Sequence, residues 1–158
     1  MSFDFTIHGT LLTMIDTIDQ RILDELQSDG RVSYRDLGER VGLSAPAVTE
    51  RVRRLERNGV ITGYTATIDP AALGSPILAI IRVHSAGPKA PEIDALAASM
   101  PEVIECNRVT GSESHVLRAW CRDLAHLDEL IEAFWGYGDT ITNVVTSTPV
   151  QRRSCRFW

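Results

Sequence analysis

The chain has 158 residues, of which 44% are hydrophobic, and it carries a formal net charge of -5. This length allows one large domain or two small ones around a real apolar core. The acidic balance excludes a protein that coats nucleic acid through positive charge spread over its whole surface. Affinity for DNA, if present, must come from a local basic segment.

The first predicted helix begins near Asp16. Asp16 and Asp19 favour a helix N-terminus, and Asp29-Gly30 is a stop signal. The apolar residues at helical spacing between them are Ile18, Ile22, Leu23 and Leu26. Residues 1–13 precede this helix and are expected to form an N-terminal arm or part of an upstream start.

Two short helices follow, joined by a glycine turn. Ser33, three residues before Asp36, can cap the first of them, and Gly42 can adopt the left-handed conformation that closes it. Ser44 can cap the second helix, and Pro46 falls in its first turn, where a missing N–H costs little. This arrangement is a helix-turn-helix, which indicates DNA binding.

The second helix of the pair combines an apolar face with a basic one. Val48, Val52 and Leu55 recur at helical spacing and would pack inward. Outward arginines can bind phosphates or guanine, and Ala47 or Thr49 can contact a thymine methyl group. The predicted DNA-binding residues are Arg31, Ser33, Ser44, Pro46, Ala47, Thr49, Glu50, Arg51, Arg53, Arg54 and Arg57.

Within that set, Thr49, Glu50 and Arg53 are expected nearest the bases. The residues expected mainly to contact the DNA backbone are Arg31, Arg51, Arg54 and Arg57. The alternative is a solvated helix with i,i+4 salt bridges, such as Glu50 with Arg54. We favour DNA contact because a merely solvated helix would not explain why the helix caps, the glycine turn and the outward arginines occur together.

After the helix-turn-helix the pattern changes to strands. Residues 60–68 alternate enough to form a strand or short wing, and the Asp69-Pro70 pair begins a hinge. The order then predicted is strand, helix, strand, strand, helix, strand, at 77–84, 91–100, 103–109, 115–122, 124–135 and 141–148. This βαββαβ order is that of a ferredoxin-like sandwich, so the fold class is α+β. The expected division is 14–63 for the helix-turn-helix domain, 64–76 for the strand and hinge linker, 77–150 for the sandwich and 151–158 for a tail.

The two later helices would cover one face of the sheet. Their apolar faces consist of Ile93, Leu96, Ala97 and Met100 in one and Leu127, Leu130, Ile131 and Phe134 in the other. Ile77, Ile81 and Trp120, or their alternating neighbours, would leave the opposite face partly apolar, which predicts self-association through it. We therefore expect at least a dimer.

The cysteines and the apolar runs exclude further classes. The three cysteines lack a C-x-x-C spacing, which argues against a disulfide framework and a zinc site. The most apolar run, 77–83, is too short for a membrane span and contains Arg82. The expected protein is cytoplasmic, with reduced thiols, no bound metal, no cofactor and no membrane segment.

Several short motifs occur together along the chain. They are Ile18-Asp19, Ile22-Leu23, Gly30-Arg31, Leu37, Val41-Gly42-Leu43-Ser44, Arg51-Val52, Arg54-Leu55-Glu56, Gly59-Val60-Ile61, Gly63-Tyr64, Leu73-Gly74, Pro101-Glu102-Val103 and Val109-Thr110-Gly111. In this combination the chain resembles the Lrp/AsnC, or feast/famine, transcription regulators from residue 15 to about residue 150.

The resemblance implies a sequence-specific DNA-binding domain tethered to a RAM domain, a ferredoxin-like, ACT-like domain that binds a small effector, commonly an amino acid, between dimers. The resemblance further implies that dimers bind palindromic double-stranded DNA and assemble into higher oligomers, often octamers. The effector-binding positions that the resemblance implies are Thr110, Gly111, Ser112, Glu113, Ser114, His115, Thr146, Ser147 and Thr148. Gly111 would let a ligand approach the backbone, and Glu113 or nearby hydroxyls could meet an ammonium group.

One position departs from the family pattern, because many members carry aspartate where this chain has Ser114. Glu113 beside it is a candidate replacement, and the identity of the effector stays open. The alternative is that Gly111 and its polar neighbours form only a tight connection between strands.

Two other functions are compatible with the same layout. The first is an enzyme similar to the siroheme decarboxylases, although no convergent acid, base and nucleophile set is visible in the second domain. The second is a nucleoid-organising protein with weak sequence preference. A sequence-specific, non-enzymatic regulator is the function that we expect.

Overall fold

The computed structural model describes residues 15–85 and 89–150. Over these ranges the chain forms two compact units, with the boundary between Ala66 and Thr67. The expected N-terminal arm and C-terminal tail lie outside the described residues. Within those ranges, none of the helices combines the length and the apolar character needed to cross a lipid bilayer.

Three short helices make up the first unit. They are α1 (Thr17–Ser28), α2 (Tyr34–Val41) and α3 (Ala45–Arg57). Asp16, Ser33 and Ser44 precede them, and each side chain accepts a hydrogen bond from the backbone N–H three residues later. Gly42 ends α2 with a left-handed φ of 77°. The predicted caps and the helix-turn-helix are therefore confirmed.

The core of this unit is contributed by all three helices. Its buried members are Ile22, Leu23, Leu37, Val41, Val48, Val52 and Leu55. Val48, Val52 and Leu55 face inward from α3, as their spacing predicts. Burying side chains of this size contributes about 1.5–3 kcal/mol each, which holds three helices that are individually too short to be stable in water.

The expected strand or wing at residues 60–68 is not formed in the described chain. Val60 and Ile61 instead donate their backbone N–H groups to the carbonyl of Leu55 and close the end of α3. The segment beyond them has no partner strand among the described residues, and a strand needs a partner to satisfy its backbone groups. The Tyr64 hydroxyl, 3.1 Å from Glu56 Oε1, ties this segment to α3.

The second unit is a four-stranded antiparallel sheet covered by two helices. A short 3₁₀ turn, Ala71–Leu73, precedes β1 (Ile77–His84), α4 (Ala90–Ser99), β2 (Val103–Arg108), β3 (His115–Cys121), α5 (Leu124–Glu132) and β4 (Asp139–Val144). The strand order is β2-β3-β1-β4. The predicted ferredoxin-like βαββαβ arrangement is confirmed.

The pairing register decides which residues face the helices. Ile81 is fully buried in the core under α4 and α5, and Ile77 packs against the same core, so neither lies on the sheet face that the helices leave uncovered, the open face. Trp120 lies on the helix-free face, as predicted, and pairs with Leu78. Ile80 follows on the same face. The alternating neighbours thus form the apolar part of the open face, because side chains alternate along a strand.

The last strand is displaced from the predicted range. It begins at Asp139, opposite His84, and ends at Val144, opposite Ala79. The Val145 N–H still donates to the Leu78 carbonyl at 2.8 Å. Residues 146–148 consequently lie beyond the strand and are exposed.

Candidate DNA interface and effector site

A close helix crossing fixes the angle between α2 and α3. Gly38 is buried in α2, and a Cβ atom added there would lie 2.5 Å from the carbonyl oxygen of Leu43 in the turn. The Leu43 N–H donates to the Gly38 carbonyl at 2.9 Å. Only glycine permits this approach, so Gly38 positions α3 although sequence reasoning did not single it out.

The outward side of α3 carries a mixed polar surface. Pro46, Glu50, Arg53 and Arg57 are exposed. Thr49 is half-buried, and its hydroxyl donates to the Ala45 carbonyl at 2.8 Å. Pro46, Glu50, Arg53 and Arg57 thus share one side of a single helix, opposite the buried valines.

Two of these outward residues neutralise each other. Arg57 Nη2 lies 2.9 Å from Glu50 Oε1, with both side chains largely exposed. The guanidinium of Arg57 lowers the pKa of Glu50 by hydrogen bonding and by its charge. Arg53, by contrast, makes no hydrogen bond or ion pair with another residue in the described part of the chain. Arg53 is therefore the available cation at the centre of this surface.

Arg51 and Arg54 differ from the prediction that they mainly contact the DNA backbone. Arg51 Nη1 donates to Asp16 at 2.6 Å and to Asp19 at 2.9 Å, and Arg54 Nη2 donates to Asp19 at 2.6 Å. These contacts tie α3 to the start of α1. They could not be found from periodicity, because they depend on how the two helices cross.

The remaining predicted DNA-binding residues surround the turn. Ser33 and Ser44 are occupied as helix caps, where Ser33 Oγ also donates to Asp36 Oδ2 at 2.7 Å. Ala47 lies in the first turn of α3 and is partly buried. Arg31 is exposed, and its side chain has no hydrogen bond or ion pair to any other described residue.

The predicted effector loop joins β2 to β3 beside the end of β1. The loop is closed by the Val109 N–H, which donates to the Ser114 carbonyl at 3.1 Å. Gly111 has a left-handed φ of 121° and is exposed, as are Thr110 and Ser112. The backbone at Gly111 therefore favours glycine, whatever else the loop does.

Glu113 is the carboxylate that this loop presents. Its Oε2 accepts a hydrogen bond from Ser112 Oγ at 2.7 Å, and its Oε1 lies 3.8 Å from Arg82 Nη1. The Ser112 hydroxyl, the residue's own backbone N–H and the Arg82 charge lower the pKa of Glu113. Arg82 also donates to Asn143 Oδ1 at 3.1 Å, and His84 contacts the Ser112 carbonyl. The result is a polar cluster of opposite charges at this end of the open face.

Ser114 and His115 point elsewhere. The hydroxyl and the N–H of Ser114 both contact the Val83 carbonyl, at 3.0 and 2.8 Å. His115 is fully buried, with Nδ1 2.9 Å from Ser114 Oγ and Nε2 3.2 Å from Asp94 Oδ1. Contrary to expectation, His115 is not presented to a ligand: it holds the loop to α4.

The second predicted effector segment, Thr146, Ser147 and Thr148, is not brought to the loop within one chain. The loop adjoins Val83, whereas the segment follows the bond to Leu78 at the other end of β1. Five residues of strand separate these ends, which is about 17 Å. One copy therefore holds two halves of the predicted site that do not meet.

The two cysteines that the structure describes, Cys106 and Cys121, give no sign of another chemistry. Cys106 is partly buried and Cys121 buried, and burial raises the pKa of both thiols. Among the described residues, no group of three or more His, Cys, Asp or Glu side chains is arranged to hold a metal ion. Both thiols are packed as small core hydrophobes.

Comparisons with known proteins match both units. Residues 15–62 match the model of winged helix-turn-helix DNA-binding domains. Residues 78–155 match that of the Lrp/AsnC ligand binding domain. The HTH-type transcriptional regulator LrpC of Bacillus subtilis is 33% identical over 84% of this chain and 92% of its own length. The leucine-responsive regulatory protein of Haemophilus influenzae is 37% identical over 83% of each.

Solved structures give the same result. The structure of Bacillus subtilis LrpC aligns with a TM-score of 0.82 and 32% identity, over 87% of this chain and 98% of that one. A feast or famine regulatory protein from Mycobacterium tuberculosis, complexed with L-methionine, aligns with a TM-score of 0.83 and 33% identity, over 90% of this chain and 99% of its own. The similarity therefore extends over both units.

Proposed function

The chain belongs to the Lrp/AsnC family of transcriptional regulators, and from that premise we propose that α3 reads base pairs in the major groove of a palindromic operator. The observation that carries the proposal is Arg53, which is exposed, has no ion pair with another described residue and is flanked by Thr49 and Glu50 on α3. Arginine there can donate a bidentate pair to guanine. Arg31 supplies a phosphate contact that helps to set the register, and Arg57 adds another when DNA displaces its ion pair with Glu50.

DNA selection from a random library tests this proposal. The purified full-length chain should enrich a palindrome whose half-sites lie one helical turn, about 34 Å, or a multiple of it apart. Binding to the enriched sequence should exceed binding to scrambled duplex at the same salt concentration. Equal affinity for both would favour the nucleoid-organising alternative, and no binding to either would refute DNA recognition.

We further propose that the effector is an amino acid bound beside the loop at residues 110–114. Glu113 offers a carboxylate for the ammonium group, and the adjacent Arg82 offers a cation for the carboxylate of the ligand. The relative that was solved with L-methionine supports an amino acid as the class of ligand. Ser114 is committed to Val83, so Glu113 replaces the acidic residue that many members carry.

Thermal-shift measurements with each of the twenty amino acids, repeated with light scattering, test the class of effector. Selective stabilisation by one amino acid or a related group, with a change of assembly size, is the expected result. A ligand present at a hundred times its dissociation constant should stabilise by about 2.7 kcal/mol. No response to any of them would refute an amino-acid effector at this loop.

A second copy is required if both predicted segments contact one ligand. Residues 110–114 and 146–148 lie at opposite ends of β1, so one chain cannot bring them together. We propose that dimers form through the open face around Ile80 and Trp120, and that dimers assemble further, with an octamer as the expected state. Effector binding between copies would then change the spacing of the α3 helices, a coupling typically of about 1–3 kcal/mol.

The open-face dimer is tested by substituting Trp120. Trp120→Asp places a charge on the helix-free face and should shift sedimentation from dimer or larger to monomer. Asp128→Asn, which changes an exposed residue on α5, is the control and should leave assembly unchanged. A Trp120→Asp variant with the assembly size of the parent protein would place the dimer on another surface.

A further inference from the structure

Four charged residues link the start of α1 to one flank of α3. Asp19 is fully buried, and its two carboxylate oxygens accept from Arg51 at 2.9 Å and from Arg54 at 2.6 Å. Asp16 is half-exposed and accepts from Arg51 at 2.6 Å. We call these residues, Asp16, Asp19, Arg51 and Arg54, the arginine clamp.

The clamp is built into the capping box of α1. Asp16 Oδ1 accepts from the Asp19 N–H at 2.8 Å, and Asp19 Oδ2 accepts from the Asp16 N–H at 3.2 Å. The capping box at the start of α1 therefore holds both carboxylates in position independently of their contacts with α3. A buried carboxylate deprived of its partners is strongly unfavourable, so Asp19 holds both arginines in place.

The clamp also changes the charge that α3 offers to DNA. Its two carboxylates offset its two guanidinium groups, and Glu50 offsets Arg57. Of the four arginines on α3, Arg53 alone lacks an ion pair with another described residue. Arg54 is nevertheless 39% exposed, which places its guanidinium at the surface beside the outward face.

We propose that Asp19 is a specificity-determining residue, which withholds Arg51 and Arg54 from DNA phosphates and so limits sequence-independent binding. The inference rests on the proposed DNA-binding function. Phosphate contacts raise affinity for every sequence alike, whereas base contacts discriminate. Because Asp19 holds Arg51 and Arg54, these two arginines help to position α3 but add no affinity for DNA of arbitrary sequence.

Salt dependence of binding separates this role from simple stabilisation. The logarithm of the binding constant falls with the logarithm of salt concentration by about 0.9 per phosphate neutralised. Asp19→Asn removes the charge but not the shape of the clamp. With random-sequence duplex of about three helical turns, its slope should steepen by about 1–2, and the ratio of specific to nonspecific affinity should fall about tenfold.

Asp24→Asn is the matched control, because it makes the same charge change at an exposed position on the same helix. Its slope should equal that of the parent protein. Adding Arg54→Gln to Asp19→Asn should bring the steeper slope back down by about 1. An equal steepening in Asp24→Asn would mean a general charge effect and would overturn the proposal.

A second variant covers the case in which Asp19→Asn does not fold. Asp16→Asn keeps a good N-cap for α1 but weakens the hold on Arg51, and its slope should steepen by up to about 1. If the folded variants keep the salt-dependence slope of the parent protein while specific and nonspecific binding weaken alike, the clamp has only a structural role. If the parent protein binds no duplex at all, the proposed function itself is refuted. Titration of the parent protein alone distinguishes this outcome from failure of the clamp proposal.

Discussion

The two units present their candidate sites in different ways. In the N-terminal unit the outward residues of α3 lie on one helix of one chain, and the caps, Gly38 and the arginine clamp fix that helix internally. In the C-terminal unit the loop at 110–114 and the segment at 146–148 lie at opposite ends of a strand. The outward face of α3 is therefore complete within one chain, whereas the effector site that we propose needs a second copy.

The largest expected effect comes from Gly38→Ala, which tests whether the first site is fixed internally. The new Cβ would meet the Leu43 carbonyl at 2.5 Å, so the α2–α3 turn must open. Overpacking of this kind costs about 1–3 kcal/mol, more than the helix propensity that alanine gains. Specific DNA binding should be lost, and amide exchange should accelerate across the three helices alone.

Gly30→Ala is the control for Gly38→Ala, because its Cβ would meet only the Leu26 carbonyl at an ordinary 3.8 Å. Exchange and DNA binding should stay close to those of the parent protein. A Gly38→Ala variant with unchanged DNA binding would show that α3 keeps its orientation with a wider turn. The close contact at Gly38 would then not be what fixes the DNA-binding face.

Arg53→Ala tests whether the outward face of α3 acts in DNA binding independently of assembly. Arg53 is exposed and free of ion pairs with other described residues, so its loss should weaken binding to the selected operator about 10- to 100-fold, or about 1–3 kcal/mol. Assembly size by light scattering should not change. Lys89→Ala removes one cation from the second unit and should leave operator binding intact; collapse of the oligomer in Arg53→Ala would show that this face is an interface between copies.

Local features of the fold and of the DNA-binding face could be predicted from the sequence, whereas long-range contacts could not. The caps at Asp16, Ser33 and Ser44 were predictable because each bonds to a backbone group only three residues away. The contacts of Arg51 and Arg54 were not, because they join positions more than thirty residues apart in sequence. A helical pattern shows which face is apolar but not which charges a neighbouring helix will meet.

The sheet shows the same limit. The βαββαβ order follows from alternating patterns, and it was predicted correctly. The sequence left open whether Ile77 and Ile81 or their alternating neighbours lie on the open face, because a continuous apolar run does not show which of its residues face the helices, and one step along a strand exchanges the faces. The separation of residues 110–114 from 146–148 follows from the register of β4 on β1, which the sequence does not specify.

Glu113→Gln tests the second site with a moderate expected effect. The variant keeps the shape of the side chain but loses the charge proposed to meet the ligand's ammonium group. Effector affinity should fall about tenfold, which is the lower end of the roughly 1.5–3 kcal/mol for hydrogen bonds to charged groups, because glutamine can still accept a hydrogen bond. The concentration dependence of the thermal shift measures this. Operator binding without effector should be unchanged, and Glu105→Gln on the neighbouring strand β2 is the control. An unaltered shift would move the ammonium contact away from the loop.

The smallest expected effect is a pH dependence in the cluster that holds the effector loop to α4. The guanidinium of Arg108 holds the pKa of Asp94 below its ordinary value, and His115 contributes in the same direction. A carboxyl whose pKa is depressed by folding stabilises the folded state above its unfolded pKa, near 3.9, and that contribution is lost as the pH falls through the folded pKa. Asp94→Asn should therefore lower Tm at neutral pH, and the difference from the parent protein should narrow as the pH falls below about 4. Since Asp94 is 42% exposed, solvent screening limits the difference to a few degrees at most. Asp128→Asn, at an exposed position on α5, should show no such narrowing. A difference in Tm for Asp94→Asn that stays constant as the pH falls below about 4 would mean that packing, not the ion pair, anchors the loop.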